Sequence, residues 1–222
     1  MQVNSHNEAE LDLCGHAVEA EGMTIQAPAG RENQKQRTRT AIIDAAREII
    51  RESTEVTMPA VAKAALVSEA TAYRYFPDLV SLLREAIDGT FPSPAEALAP
   101  VEDSDDPVAR IAFATERLLR HVQTYQGAVR AVISGSIVRS DSAATRPGYR
   151  FGLIDYALAP LDATLGRRNP AALRQLKQDL AVVVSAEALF TLTDLCGLSP
   201  DDAVASAMHT ARTITAAAVA DC

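Results

Sequence analysis

The amino-acid sequence predicts an all-α protein. Of its 222 residues, 48% are apolar, with many Ala and Leu, and no run alternates apolar and polar residues as a half-exposed strand would. Apolar residues instead return every three or four positions over much of the chain, which is the spacing of an amphipathic helix. A chain of this length can bury a substantial core, as one large domain or two small ones.

Composition argues against several classes of protein. No apolar run reaches the ~18 residues that span a bilayer, and the N-terminus lacks a secretory pattern, so we expect a cytoplasmic protein with no membrane partner. Cys14, Cys196 and Cys222 have no metal-like spacing and favour free thiols over a redox-sensing pair. The histidines are equally scattered, and we predict neither a metal site nor a cofactor.

The net charge of −8 is unevenly distributed. Residues 1–30 contain five acidic residues and no Lys or Arg, residues 31–91 contain nine of each sign, and residues 92–222 contain fifteen acidic and twelve basic residues. Within 35–51 only two acidic residues accompany five basic ones: Lys35, Arg37, Arg39, Arg47 and Arg51. This local excess is a modest indication of contact with a polyanion.

The first elements follow from apolar spacing and capping residues. Residues 1–35 show no sustained apolar period and predict a mobile tail. Apolar positions from Thr38 to about Ser53 predict a first helix. Thr57 can cap a second helix, Met58 to about Ala65, whose first turn tolerates Pro59.

Two further short helices come next. Leu66-Val67 forms a connection, and Ser68 can cap a third helix that runs through Phe76. Pro77 ends that helix, and Asp78 can cap a fourth that reaches about Gly89. Ala72 and Phe76, four residues apart, should point into the domain.

The remaining chain predicts a second set of helices. Prolines between residues 92 and 100 and the acidic "VEDSDD" mark a linker. Helices are expected from Asp106-Pro107, over 126–139 and 149–165, from Asn169-Pro170 to about Gly197, and from Ser199-Pro200 to about Val219. We therefore divide the chain into a tail (1–35), a first domain (36–91) and a second domain (92–222).

Two short helices joined by about three residues, with a longer helix before them and another after, indicate a helix-turn-helix motif. In that motif the second helix enters the major groove of DNA. Its outward hydroxyl, phenol and guanidinium groups can reach phosphates and base edges. The alternative is a plain helical hairpin with exposed Tyr and Arg. We assign double-stranded DNA contacts to Arg37, Arg39, Thr57, Ser68, Glu69, Ala70, Thr71, Tyr73, Arg74 and Tyr75.

Residues 36–91 resemble the DNA-binding domain of the TetR family of transcriptional regulators. The resemblance rests on "RTRTAIIDAAREII", "TMPAVAKAALVSEATAYRYF" and "PDLVSLLREAI". It includes the family's pattern Ser-x-x-Thr-x-Tyr-x-Tyr-Phe, here from Ser68 to Phe76. Three features depart from it: the usual turn glycine is Leu66, a lysine often found early in the fourth helix is Leu79, and the first helix runs into "STEVT" without the common glycine. The second departure puts one phosphate contact in doubt and leaves more of that work to Arg37 and Arg39.

The resemblance implies that the second domain binds a small-molecule effector and forms a homodimer. Most relatives are repressors that an effector releases from a palindromic operator. We expect this protein to repress transcription in the same way, with activation of transcription as an alternative. Effector residues cannot be carried over. Candidates for lining a cavity, for each of which a core or surface role is the alternative, are Phe113, Arg117, His121, Tyr125, Phe151, Asp155, Tyr156 and Glu187. Glu187 lies in an apolar run, where a carboxylate requires a partner such as an Arg at a dimer interface, solvent or a cationic ligand.

The last two predicted helices carry apolar residues on nearly all sides, as in "DLAVVVSAEALFTLTDL". Such a helix must be covered all round, and we expect a second copy of the chain to cover it rather than the same monomer. The candidate dimer residues are Leu180, Val184, Leu189, Val204, Met208, Ala211 and Thr215.

Two other functions compete with a ligand-responsive regulator. "ISGSIV" around Ser134 and Ser136 resembles a nucleophile elbow faintly but lacks the Gly-x-Ser-x-Gly spacing, so we do not expect an enzyme. A structural DNA-binding protein without a switch is the closer alternative, and it would need no cavity in the second domain.

Overall fold

The computed structural model describes residues 29–52, 55–138 and 148–220, and within these residues it contains helices and no strands. Predictions that concern residues 1–28, Cys14 and Cys222 lie outside the described residues. The described α-helices are α1 Ala29–Glu52, α2 Met58–Ala64, α3 Glu69–Tyr75, α4 Leu79–Ile87, α5 Pro94–Leu98, α6 Pro107–Thr124, α7 Gln126–Val138, α8 Tyr149–Ala157, α9 Leu165–Arg168, α10 Pro170–Val183, α11 Ala186–Phe190 and α12 Pro200–Ala220.

The caps that the sequence predicts for the short N-terminal helices are confirmed. The Thr57 hydroxyl accepts a hydrogen bond from the Ala60 amide at 3.3 Å. The Ser68 hydroxyl accepts from Thr71 at 3.2 Å, and the Asp78 carboxylate accepts from Ser81 at 2.8 Å. Each cap satisfies an amide that has no partner inside its helix.

Helix α1 is longer than predicted. It begins at Ala29, so residues 29–35, which we assigned to the tail, belong to the helix. Its buried side begins further along, with Ile42, Ala46 and Ile50 in the core of the first domain. The early turns contain mostly exposed polar residues, which is why apolar spacing alone missed them.

The core of the first domain includes residues from beyond the predicted domain boundary. Val61, Ala72 and Leu82 from α2, α3 and α4 pack in one cluster with Ala128 and Val132 of α7. The division at 91/92 therefore separates segments of sequence but not hydrophobic cores.

The predicted linker is an ordered part of the second domain. Helix α5 begins with a capping box in which Ser93 and Glu96 satisfy each other's backbone amides, and Ala97 and Leu98 are buried in the second core. A 3₁₀ turn, Ala99–Val101, follows it.

Helix α6 is the central helix of the second domain and packs along α12 and against α8. The sequence predicts its start at Asp106-Pro107 and its apolar face, but not the burial of Arg110, which is 4% exposed. The guanidinium of Arg110 donates to the carbonyls of Val101 and Glu102 at 2.9 and 2.8 Å, and to that of Tyr156 at 2.8 Å. Arg110 thus joins the segment before α6 to the end of α8.

Two long helices of the prediction are broken in the structure. The helix predicted over 149–165 ends at Ala157 and continues as a 3₁₀ turn, Ala159–Leu161. The helix predicted from Pro170 to Gly197 breaks at Val184 and Ser185 into α10, α11 and a π-helical turn, Thr191–Leu195. The Ser185 hydroxyl accepts from the Ala188 amide at 3.0 Å and so caps α11.

The residues assigned to a dimer interface lie inside the protomer. Six of the seven are buried, and the seventh, Met208, packs against the cluster of α6, α11 and α12. Neighbouring helices of the same chain cover the six buried residues, which therefore offer little surface to a partner, whereas Met208 is partly exposed. The six buried residues are Leu180, Val184, Leu189, Val204, Ala211 and Thr215.

Two smaller points concern alternative classes of protein. Ser136 lies within α7, where its hydroxyl donates to the Ile133 carbonyl at 2.7 Å; a nucleophile elbow requires a strand-to-helix turn instead. Among the described residues, no helix is both long and apolar enough to cross a membrane.

Candidate nucleic-acid interface and cavity

The turn between α2 and α3 is a Schellman motif. The Val67 amide donates to the Ala62 carbonyl at 3.0 Å and the Leu66 amide to the Lys63 carbonyl at 3.2 Å. Leu66 adopts a left-handed backbone with φ of 57°, at the position where such motifs usually carry glycine. Its side chain is 92% exposed. The missing glycine therefore does not change the path of the chain.

Helix α3 presents one side to solvent and the other to the core. Ala72 and Phe76 are buried, as predicted. The exposed side carries the assigned residues Ser68, Glu69, Ala70, Tyr73 and Arg74.

Two of the assigned residues on α3 are less accessible than expected. Tyr75 is half-buried and packs against the domain core, and the Arg74 guanidinium lies 5.5 Å from the centre of its ring. The Thr71 hydroxyl lies 2.9 Å from that of Ser68. We therefore expect Tyr73 and Arg74 to contribute more to DNA contact than Thr71 or Tyr75.

The basic segment of α1 is largely engaged within the domain. Arg39 forms an ion pair with Glu85 on α4 and lies over the ring of Phe76 at 5.0 Å. Arg47 donates to the Ala86 carbonyl at 2.9 Å, and Arg51 pairs with Glu48. Arg37 is exposed. We keep Arg37 as a candidate phosphate contact, whereas Arg39 holds α1 against α4.

Leu79, at the position where relatives often have lysine, is half-buried and packs against the first core. It contributes to the packing of α4, and its aliphatic side chain has no group that could bind a phosphate.

A mostly apolar cavity lies where the two domains meet. Its free space of about 650 Å³ includes solvent at an open mouth. One wall is Ile87 at the end of α4, and the others come from α6, α7, α8 and the break between α10 and α11. Both domains therefore contribute to the lining of the cavity.

The candidate ligand residues divide into three groups. His121, Tyr125 and Glu187 line the cavity. Phe113 and Tyr156 pack against the second core and do not line it. The other three are exposed and do not line the cavity: Arg117, Phe151 and Asp155.

The structure adds Tyr149, Arg150 and Ser185 to the cavity lining. Arg150 lies 3.3 Å from the Glu187 carboxylate, so the partner that Glu187 requires is an arginine of the same protomer. The apolar run around Glu187 indicated that its carboxylate needs a partner. The sequence did not indicate which residue that partner is. Tyr149 and Arg150 follow the turn-rich "SDSAATRPG", with no apolar period to mark them.

Two residues of the cavity also contact the loop that follows α4. The Tyr149 hydroxyl donates to the Asp88 carboxylate at 2.5 Å and accepts from the Gly89 amide at 3.0 Å. Nε2 of His121 lies 3.1 Å from the Thr90 hydroxyl, which itself donates to the Ile87 carbonyl at 2.7 Å. Because that hydroxyl has only one proton, we assign the proton of the second contact to His121.

The environment of His121 disfavours its charged form. Burial, together with the positive charge of Arg117, lowers the pKa of His121 below its usual 6.5. Its ring packs edge-on against Phe91 at 5.0 Å and lies 4.6 Å from the ring of Tyr125. A neutral histidine therefore joins the loop after α4 to the cavity.

Helix α7 is held from both sides. An added Cβ on Gly135 would lie 2.8 Å from a methyl carbon of Val80 on α4, so the two helices approach closely. On the other side, Arg130 donates to Asp194 at 2.6 and 2.8 Å. This ion pair lowers the pKa of Asp194 to about 2.

The chain was compared with protein families, curated proteins and solved structures. Residues 42–86 match the family model of bacterial regulatory proteins, tetR family. No curated protein sequence matches the chain. A similar solved structure is that of a TetR transcriptional regulator from Rhodococcus sp. RHA1, with 20% identity and a TM-score of 0.48 over 82% of this chain and 97% of that chain.

The matched residues run from the buried part of α1 to the end of α4 and contain the helix-turn-helix with the exposed side of α3. The N-terminal part of this chain is therefore similar to the helix-turn-helix domain of bacterial regulatory proteins, tetR family.

Proposed function

We propose that the protein is a repressor that binds a palindromic operator as a homodimer and leaves it when a small molecule enters the cavity. The observation that supports this most is the shared wall: Ile87 lines the cavity at the last turn of α4, directly after the helix-turn-helix. A ligand there contacts the DNA-binding domain without touching DNA.

The proposed switch needs two conformations with different separations of the two α3 helices in the dimer. Half-sites of such operators lie one DNA turn, or a multiple of it, apart. A ligand that prefers the wrong separation weakens operator binding by no more than its difference in affinity for the two states. Tyr149 and His121 link the cavity to the helix-turn-helix, because both contact the loop after α4. A ligand that moves either side chain therefore also moves α4.

The homodimer needs a surface other than the buried residues assigned from sequence. We propose the exposed sides of α10 and α12. Val182 is 72% exposed, and Ala205 and Ala216 are small exposed residues that permit close approach of helices. Ala216→Arg should shift the sedimentation coefficient to that of a monomer, whereas Ala163→Arg, at an exposed turn, should leave the dimer intact. An unchanged dimer in Ala216→Arg would contradict this surface.

The first experiment on function is footprinting of the purified protein on its own upstream intergenic DNA across a salt series. A protected palindrome is expected, and the double variant Tyr73→Ala, Arg74→Ala should lose it. Arg167→Ala removes an exposed arginine from α9, outside both α3 and the proposed dimer surface, and serves as the matched control. No DNA binding by the wild type, even at low salt, would reject DNA contact through α3.

A further inference from the structure

We propose that the cavity takes an uncharged, mostly aliphatic compound that carries one hydrogen-bonding oxygen, such as a medium-chain alcohol. This inference rests on the proposed function, because it names the chemical class of the effector. It follows from the walls, the charged groups and the hydrogen-bonding groups of the cavity, taken in turn.

The walls are aliphatic over most of their surface. Six branched side chains from α4, α6 and α7 line the cavity, and burial against them favours apolar ligand surface. These side chains are Ile87, Leu118, Val122, Val129, Val132 and Ile133.

The charged groups of the lining cancel one another. Arg150 and Glu187 lie 3.3 Å apart, with side chains only 20% and 33% exposed. A ligand carboxylate that approached Arg150 would also meet the negative charge of Glu187. An ammonium group on Glu187 would meet Arg150 in the same way. Either charged ligand gains one attraction and suffers one repulsion, and it loses its hydration as well.

Most of the polar groups in the lining already have partners. The Tyr149 hydroxyl is engaged by Asp88 and Gly89. The Ser185 hydroxyl donates to the Val182 carbonyl at 2.7 Å and accepts from Ala188. Among the described residues, the hydroxyl of Tyr125 has no hydrogen-bond partner. Tyr125 is therefore the group that pairs with a ligand oxygen.

The test compares three ligands with the same six-carbon chain: hexan-1-ol, hexanoate and hexylamine. Their dissociation constants for the full chain are measured by ligand-observed NMR near neutral pH. We expect hexan-1-ol to bind about tenfold tighter than either ion, or more. Equal affinities, tighter binding of an ion, or no binding of the alcohol would overturn the proposal.

Variants of the charged pair test the reason for this order. Glu187→Gln leaves Arg150 uncompensated and should bring hexanoate to or below the dissociation constant of hexan-1-ol. Arg150→Gln should do the same for hexylamine. Tyr125→Phe should weaken hexan-1-ol, whereas Arg174→Gln, outside the cavity, should change nothing. If the variant of Arg150 or Glu187 does not fold, the order of affinities of the wild type and the effect of Tyr125→Phe still test the proposal.

A DNA-binding measurement separates this inference from the proposed function. If hexan-1-ol binds as expected but leaves operator affinity unchanged, the proposed ligand class is supported and the proposed release from the operator is rejected. If the protein binds the operator and another compound releases it from the DNA, while hexan-1-ol does not bind, the proposed ligand class is rejected and the proposed ligand-responsive repressor is supported.

Discussion

At the scale of single residues, Leu66 adopts a backbone conformation that L-amino acids avoid. The left-handed region costs a residue with a Cβ about 1–2 kcal/mol. The exposed side chain gains no burial in return. The hydrogen bonds of the Schellman motif and the packing of α2 against α3 hold the turn in place.

Leu66→Gly should therefore stabilise the protein. We expect the free energy of unfolding to rise by about 1 kcal/mol, since the strain disappears and only part of the gain is offset by the greater freedom of glycine in the unfolded chain. Urea denaturation of the two proteins measures this difference. Leu66→Ala keeps the Cβ and the strain, and should change stability by less than about 0.5 kcal/mol. A less stable glycine variant would indicate that the leucine side chain makes a stabilising contact.

Arg110 is a buried arginine of the second domain whose guanidinium donates to several backbone carbonyls. Removing its guanidinium leaves backbone carbonyls of two segments without their donor, and buried acceptors without partners are costly. Arg110→Met should lower the free energy of unfolding by about 3 kcal/mol or more. Thermal or urea denaturation is the measurement, and exposed Arg117→Met on the same helix is the control. A loss similar to that of the control would mean that water replaces the guanidinium.

These two residues show what sequence reasoning can reach at this scale. The caps Thr57, Ser68 and Asp78 were predictable because a cap depends on neighbours within three residues. Arg110 was not, because its partners lie up to 47 residues away and an arginine in a helix is usually exposed.

At the scale of helices, the boundaries marked by proline or a cap were predicted well and the internal breaks were not. The break at Val184 and Ser185 lies in an apolar run, where Ser185 looks like an ordinary interior residue. Its hydroxyl can cap a new helix only because the tertiary structure turns the chain there. The break matters for function, since it brings Ser185, Ala186 and Glu187 to the cavity.

The close approach of α4 and α7 at Gly135 gives a prediction for these two helices. Gly135→Ala places a methyl group against Val80, and such overpacking costs about 1–3 kcal/mol. It should also shift α4 and weaken operator binding. Val80→Ala in the same chain should restore both properties, which a double-mutant cycle of stability and DNA affinity would measure. Additive losses would show that the two side chains do not compete for the same space.

At the scale of the whole molecule, His121 joins the two domains and makes their stability depend on pH. Because its pKa is lowered on folding, the unfolded chain binds the proton more tightly. Its contribution to stability is therefore complete above pH 6.5 and is lost as the pH falls through the lowered pKa of the folded state.

We expect the free energy of unfolding to fall as the pH is lowered from above 6.5 through the pKa of His121 in the folded state. His121→Gln should reduce the slope of this dependence, because the side chain that must lose its proton is gone. Urea denaturation at several pH values measures it for both proteins. An identical slope in the variant would assign the pH dependence to other groups.

At this scale, the location of the dimer interface could not be predicted from the sequence. An apolar helix surface indicates that something covers it but not whether the cover is the same chain or another copy. In this protein α6 and its neighbours cover the apolar sides of α10 and α12 that we had assigned to a dimer interface. The fold class and the helix-turn-helix, which depend on local patterns, were predictable. The wall of the cavity, which depends on packing, was predictable only in part.

The participation of α7 in the core of the first domain has a consequence for cooperativity. A fragment that ended at residue 91 would lack Ala128 and Val132 and would expose the side of α4 that they cover. We therefore expect the two domains to melt in a single calorimetric transition and the isolated N-terminal fragment to be poorly folded. In such a molecule, any compound that loosens the second domain also lowers the melting temperature of the part that reads DNA.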